Sequence, residues 1–210
     1  MIRLFLVLTG FIGLVACSGA SDLNEPPVPL GDFSLGHNIV VAPKVATTAT
    51  VSREVSKEEL TDALTLAIAE RFERYKGSRT YHFGVSVEGY ILAKPGVPVV
   101  LAPKSAMIIR VTVWDDALGK KMNAEPEQLT VLETLDGDSI IGSGWTQTKE
   151  TQLRNLSRNA AQSIENYLIK QSAEQGWFSD QNSLGEATLA PDARDGATVA
   201  APVRNADDLE

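Results

Sequence analysis

The sequence predicts an α+β domain, a two-layer sandwich in which a mainly antiparallel sheet carries two amphipathic helices on one face. Two observations predict it. Apolar and polar residues alternate along several segments of strand length, and two longer segments carry apolar residues at helical spacing. The chain has 210 residues, 43% of them apolar, which is enough for the core of one ordinary domain. We place this domain at residues 33–175.

The first predicted elements are a strand and a helix. Residues 37–42 form the strand candidate, which Pro43 ends. Ser56 and Glu59 then have the spacing of a capping box before an apolar helical stripe, and Gly77 lies where the helix would need a C-cap. The stripe consists of Leu60, Ala63, Leu64, Ala67, Ile68, Phe72 and Tyr75.

Three or four further strands follow from alternation with a period of two. Residues 80–92 and 107–114 each present one continuous apolar face. The second face of 107–114 also contains Trp114, so we expect a central strand whose second face is partly covered. A fourth strand at 129–135 leads through a tight hairpin signal to residues 139–144. The predicted core faces consist of Tyr81, Phe83, Val85 and Val87, and of Met107, Ile109, Val111 and Val113.

A second helix is predicted from about residue 149 to 171. We expect Glu73 and Glu165 to lie on the outward faces of the two helices. Residues 176–210 contain seven acids, two arginines and no apolar stripe, which predicts a disordered acidic tail, with Trp177 and Phe178 as candidates to dock its start. A cut after Gln175 is therefore expected to leave stability nearly unchanged. The core stripe of this helix consists of Leu153, Leu156, Ala160, Ile164, Tyr167 and Leu168.

The amino terminus has the features of an export signal with an attachment site. Arg3 precedes an uncharged apolar run, and Leu14-Val15-Ala16-Cys17 has the pattern of a bacterial lipobox. Residues 1–16 are thus a lipoprotein signal peptide, and Cys17 is the acylated amino terminus that attaches the protein to a membrane. The alternative is that Cys17 is an ordinary buried thiol. A single free thiol would be unusual in an oxidising compartment, which favours acylation.

The residues after the lipobox indicate which membrane carries the protein and how far from it the domain can lie. The residue following Cys17 is Ser18 and not Asp, which under the sorting rule of Gram-negative lipoproteins favours the outer membrane, facing the periplasm. Residues 17–32 contain three prolines and no periodicity, so they are predicted to form a tether. An extended tether of this length would hold the domain some tens of Å from the bilayer, at up to ~3.3 Å per residue.

Composition and motifs exclude several classes of function. The net charge of −8 argues against nucleic-acid binding, which depends on Lys and Arg. The only histidines, His37 and His82, show no metal-ligand spacing, so neither a metal nor a cofactor is expected. Gly142-Ser143-Gly144 lacks the spacing of a nucleotide loop or of a nucleophile elbow. We therefore expect a protein that is not an enzyme.

The remaining candidate is a surface that contacts a partner. Trp114, Trp145 and the apolar residues Val97, Val99 and Leu101 of a proline-rich loop are the best candidates. The alternative is that the tryptophans cover the sheet and the loop packs on the domain.

The closing segment resembles the end of a group of small envelope lipoproteins. The resemblance lies in residues 140–144 and in the helix beginning Leu153-Arg154-Asn155-Leu156, and it covers about residues 37–171. The order of elements also resembles the lipopolysaccharide-assembly lipoprotein and the amino-terminal domain of the TolB translocation protein. The resemblance implies a structural or adaptor module in envelope assembly or lipid transport, with an envelope protein as partner. The alternative is a periplasmic carrier that holds a lipid or another apolar ligand between the sheet and the helices.

Overall fold

The computed structural model of the protein describes residues 21–47, 52–94, 105–133 and 148–179. A short 3-10 helix at Ser21–Asn24 precedes the regular elements. These are, in chain order, β1 (Ser34–Val41), α1 (Lys57–Phe72), β2 (Thr80–Ile91), β3 (Ala106–Asp115), β4 (Lys120–Lys121), β5 (Glu127–Leu132) and α2 (Lys149–Gln175). The predicted strand at 139–144 and its hairpin lie outside the described residues.

The strands form one mixed sheet, which confirms the predicted α+β class. β1 runs parallel to β2, because helix α1 connects them, and all other pairs are antiparallel. β4 and β5 share the far edge of β3. Between them, the side chain of Asn123 accepts the N–H of Val113 and donates to the carbonyl of Val111, both at 2.9 Å. Asn123 thus takes the place of a backbone partner where β4 and β5 are interrupted.

The core lies between the two helices and one face of this sheet. Every residue of the predicted core faces of β2 and β3 is at most 1% exposed, and the stripe of the second helix is buried as predicted. Helix α1 packs against α2 and β1, and α2 against β3 and β5. Both helices therefore cover the same face, as the sequence predicts.

The helix ends agree with the prediction at one position and differ at another. Ser56 and Glu59 form the complete capping box of α1. The predicted C-cap at Gly77 is wrong, because α1 ends at Phe72 and Glu73 is its C-cap. Gly77 instead approaches the backbone of Phe33, to whose carbonyl its N–H donates at 2.8 Å. A side chain at residue 77 would overlap that backbone, so the glycine serves the packing of two chain segments.

The domain is longer at both ends than residues 33–175. Helix α2 continues to Gln175, and Gly176 caps it in the left-handed conformation with a φ of 68°. Trp177 and Phe178, the candidates to dock the start of the tail, are buried in the core, as is Leu30 before β1. The boundary between this domain and the rest of the chain falls after Ser179.

Truncating the core residues of the helices is expected to destabilise the domain strongly. Ile68 of α1 and Ile164 of α2 are both fully buried. Ile68→Ala and Ile164→Ala should each lower the free energy of unfolding by about 2 to 5 kcal/mol, measured by denaturant titration. The matched control is Leu66→Ala, since Leu66 lies on the exposed face of α1. If all three variants were equally mild, the helices would not pack as described.

Candidate functional site

The face of the sheet opposite the helices carries exposed apolar side chains in the described part of the chain. We call it the open face. On β1, Ile39 and Val41 are 61% and 47% exposed. Their register partners on β2 are Gly84 and Ser86, so these four residues share the open face. Large apolar side chains at such exposure form a patch suited to contact with another molecule.

A groove of about 370 Å³ runs across the open face. Gly84 forms its floor, because it pairs with both Ile39 and Thr112 and has no side chain between them. Glu88 and Arg110 line the groove as well and provide one charge of each sign. The groove thus combines an apolar wall with two side chains able to make charged hydrogen bonds.

A second groove of about 260 Å³ lies further along β2 and β3. Gly89, Tyr90 and Ile108 are among the residues that line it. The strand register shifts between Val87 and Gly89, and Ala46 bridges to Gly89 there. Both grooves lie away from the helices, and neither is a cavity in the core.

Trp114 lies on the open face at the end of β3, with 39% of its surface exposed. It pairs with His82 on one side and Lys121 on the other. The ring of His82 stacks on that of His37, at 4.8 Å between centroids. No local pattern connects these histidines, because they lie 45 residues apart.

Both ring nitrogens of His82 have partners. Its Nδ1 accepts the backbone N–H of His37 at 2.7 Å, and its Nε2 lies 3.0 Å from a carboxylate oxygen of Asp116. Among the described residues, no three side chains of His, Cys, Asp or Glu are grouped so that they could hold a metal ion. The histidine pair therefore connects β1, β2 and the turn after β3.

The predicted tether is attached to the domain over most of its length. Arg74 donates to the carbonyls of Leu23 and Glu25, at 3.1 and 2.8 Å, and the hydroxyl oxygen of Tyr75 lies 2.9 Å from the carbonyl oxygen of Val28. Residues 23–32, which we call the docked segment, therefore lie along the end of α1. The prediction of a free tether over the whole of 17–32 is therefore wrong, because Arg74 and Tyr75, which follow α1, hold residues 23–28.

A buried charged cluster lies beneath the docked segment. Glu165 of α2 accepts from Arg71 at 2.6 Å and from the hydroxyl of Tyr75 at 2.7 Å. The side chains of Arg71 and Glu165 are 1% and 4% exposed. The expectation that Glu165 faces outward is therefore wrong, whereas Glu73 is exposed as predicted. Burial and the Glu165 carboxylate raise the pKa of Tyr75, which keeps its hydroxyl protonated as a donor.

The docked segment meets the carboxyl end of the domain. The N–H of Asp32 donates to the carbonyl of Phe178 at 2.8 Å, and Ser172 donates to the carbonyl of Leu30 at 3.0 Å. Gly31 has a φ of 109°, and a Cβ there would overlap the carbonyl of Phe178. This close approach joins the two ends of the domain.

Of the predicted site residues, the structure describes only Trp114. Cys17, Trp145, Val97, Val99 and Leu101 lie outside the described residues. Sequence reasoning missed Ile39 and Val41 as surface residues, because an apolar run such as 37–42 is typical of a buried strand. The polar residues of β2 opposite them were the available signal.

No helix in the described segments is both long enough and apolar enough to cross a bilayer.

Comparison with known proteins gives slight likenesses. No family model matches the chain, and no curated protein matches it significantly. Among solved structures, it is similar to a candidate lipoprotein from Caulobacter crescentus CB15, with 14% identity, a TM-score of 0.34, and coverage of 70% of this chain and 93% of that one. The PelC dodecamer from Paraburkholderia phytofirmans is 8% identical, with a TM-score of 0.33 and coverage of 66% of this chain and 92% of that one. A minor lipoprotein from Acinetobacter baumannii is 11% identical, with a TM-score of 0.28 and coverage of 66% of this chain and 96% of that one. Because these likenesses are slight, they show no family for this chain, and the resemblance to the TolB domain and the lipopolysaccharide-assembly lipoprotein stays a prediction.

Proposed function

We propose that this chain is a lipid-anchored lipoprotein of the bacterial envelope that acts as an adaptor without catalytic activity. Acylated Cys17 anchors it, and Ser18 directs it to the outer membrane, with the domain in the periplasm. The domain binds an envelope protein through the open face. The observation that carries the adaptor role is the exposed apolar face around Ile39 and Val41.

The proposed partner presents an extended segment with small apolar side chains. The groove between Ile39, Val41 and Thr112 fits such side chains, since Gly84 leaves its floor free. Arg110 and Glu88 can form hydrogen bonds to polar groups of the same segment. β1 is also an edge strand of the described sheet, so its backbone can pair with an added strand.

The carrier alternative requires an apolar cavity between the sheet and the helices. That space is occupied by side chains such as Phe72, Phe83 and Leu168, each at most 1% exposed. The two grooves described above open to solvent on the opposite side of the sheet. The packing therefore favours an adaptor over a carrier.

Replacing Cys17 tests the anchor. Cys17→Ser removes the thiol that accepts the diacylglycerol, so the protein should move to the soluble periplasmic fraction or remain unprocessed at its signal peptide. Cell fractionation with immunoblotting measures this. The matched control is Ser18→Ala, which should stay in the membrane fraction. A processed Cys17→Ser protein that still fractionates with membranes would show that acylation is not the anchor.

Site-specific photo-crosslinking tests the adaptor role. A photoreactive amino acid at residue 39, on the open face, is expected to give one discrete protein adduct in bacterial cells. The same amino acid at residue 66, on the exposed face of α1, should give none. The adduct should also weaken when Arg110→Glu is combined with the probe at residue 39, because the groove then loses its cation. No adduct at 39, or the same adduct at both positions, would contradict the proposal.

A further inference from the structure

The docked segment determines which end of the domain lies near the bilayer. Leu23, the first residue that Arg74 holds, follows Cys17 by six residues. Six residues span at most about 20 Å when fully extended. If Cys17 is acylated, as the proposed function states, Leu23 and the end of α1 lie within that distance of the acyl chains.

The same end of the domain carries the turn between β3 and β4. Asp32 of the docked segment accepts hydrogen bonds from Ser78, just before β2. The N–H of Asp116 donates to the carbonyl of Thr80 at 3.2 Å, which places the turn beside the start of β2. A continuous series of contacts thus joins the docked segment to the turn at residues 116–119.

The two carboxylates of this turn both have contacts within the domain, although the Asp116 side chain remains 64% exposed. Asp115 is buried, binds Arg79 at 2.7 Å and accepts the N–H of Leu118 at 3.0 Å. Asp116 lies against His82.

Apart from the carboxylate of Asp116, which lies beside His82, the side chains that the turn presents to solvent are apolar and basic. Leu118 is 46% exposed, and Trp114, at the end of β3 just before the turn, is 39% exposed. Lys120 and Lys121 are exposed, and within the described residues neither forms an ion pair. Exposed Leu and Trp beside lysines are typical of a surface that rests in the headgroup region of a bilayer.

The other charges at this end favour contact through the sheet side. Glu25, Glu73 and Lys76 are exposed around the end of α1. Acidic groups there would be repelled by anionic lipids, whereas Lys121 pairs with Trp114, and Lys120 with Asp115, at the end of β3.

We propose that the segment comprising Trp114, Leu118, Lys120 and Lys121 docks on an anionic lipid surface, as a second contact beside the acyl chains. This inference rests on the proposed anchor. The docked segment holds the turn near the bilayer, Leu118 and Trp114 enter the headgroup region, and the two lysines contact lipid phosphates. The domain then has a defined orientation, in which the end that carries the turn faces the membrane and the opposite end of the sheet points away from it.

A fluorescent label at the turn tests the proposal. Because acylation consumes the thiol of the chain's one cysteine, a cysteine substituted at residue 118 is uniquely reactive in the acylated protein. The full acylated chain, Leu118→Cys, carries an environment-sensitive dye and is reconstituted into phosphatidylcholine vesicles with or without phosphatidylglycerol. We expect blue-shifted emission in the anionic vesicles and quenching by brominated lipid. The matched control is Leu132→Cys. Leu132 is similarly exposed, but it pairs with Ala106 at the opposite end of β3.

Charge reversal separates docking from insertion of the dye itself. Combining the label with Lys120→Glu and Lys121→Glu should reduce the lipid-exposed fraction about tenfold or more, since each lysine near an anionic surface favours binding severalfold. Equal emission at residues 118 and 132, while the protein stays with the vesicles, would overturn the docking and leave the anchor standing. If the purified protein proved to carry no acyl chains, the proposed anchor itself would be overturned.

Discussion

Replacing Glu165 with alanine is expected to lower the free energy of unfolding by about 3 to 5 kcal/mol. Its carboxylate accepts from Arg71 and Tyr75, and Arg74 lies 3.9 Å away. Without it, a guanidinium that is 1% exposed loses its carboxylate, and the hydroxyl of Tyr75 loses one acceptor. Urea titration followed by circular dichroism measures the change.

The matched control is Glu73→Ala, an exposed acid on the other helix, which should change stability by no more than about 0.5 kcal/mol. A double replacement, Arg71→Met with Glu165→Leu, should be much less destabilising than Glu165→Ala, because it removes both buried charges together. If Glu165→Ala were as mild as Glu73→Ala, the buried cluster would not contribute to the fold.

Shortening the chain by four residues within the domain is expected to lower its stability at least as much as Glu165→Ala does. A chain ending at Ser179 should be as stable as the full chain, because residues 180–210 show no apolar periodicity. Contrary to the expectation from the sequence, a chain ending at Gln175 should be less stable by about 3 to 5 kcal/mol or more, because it loses the buried side chains of Trp177 and Phe178. Thermal unfolding of the two truncated proteins measures the difference.

The position of Phe178 in the core is the physical reason for this expected loss of stability. Its ring lies 5.1 Å from that of Phe33 and 4.8 Å from that of Tyr81, and its carbonyl accepts from Asp32. Phe178→Ala in the full chain isolates this contribution. Equal stability of the chains ending at 175 and at 179 would show that these contacts do not hold the domain together.

The helices and strands were predictable because their signals are local. A strand alternates every two residues and a helix repeats every 3.6, so the core faces of β2, β3 and α2 follow from spacing alone. Ser56 is likewise predictable, since a capping box involves residues only three apart. Gly77 was not, because its role depends on Phe33, which is distant in sequence.

The candidate site was predictable only in part. Trp114 was identified because a tryptophan on the polar face of a strand stands out. The exposure of Ile39 and Val41 was not, because whether a second layer covers the outer face of β1 depends on where the remaining chain packs.

Local sequence patterns are sufficient for the α+β class, the lipobox and the order of the helices and longer strands, but not for the short strand β4. The burial of Glu165, the docking of residues 23–32 and the ring contacts of Phe178 depend on contacts between distant segments. Helical spacing does place Glu165 between Ala161 and Leu168 on one face, but its charge predicts exposure. A buried carboxylate is stable only beside a partner such as Arg71, which lies 94 residues away. Short segments without periodicity are likewise held by contacts that no local pattern encodes.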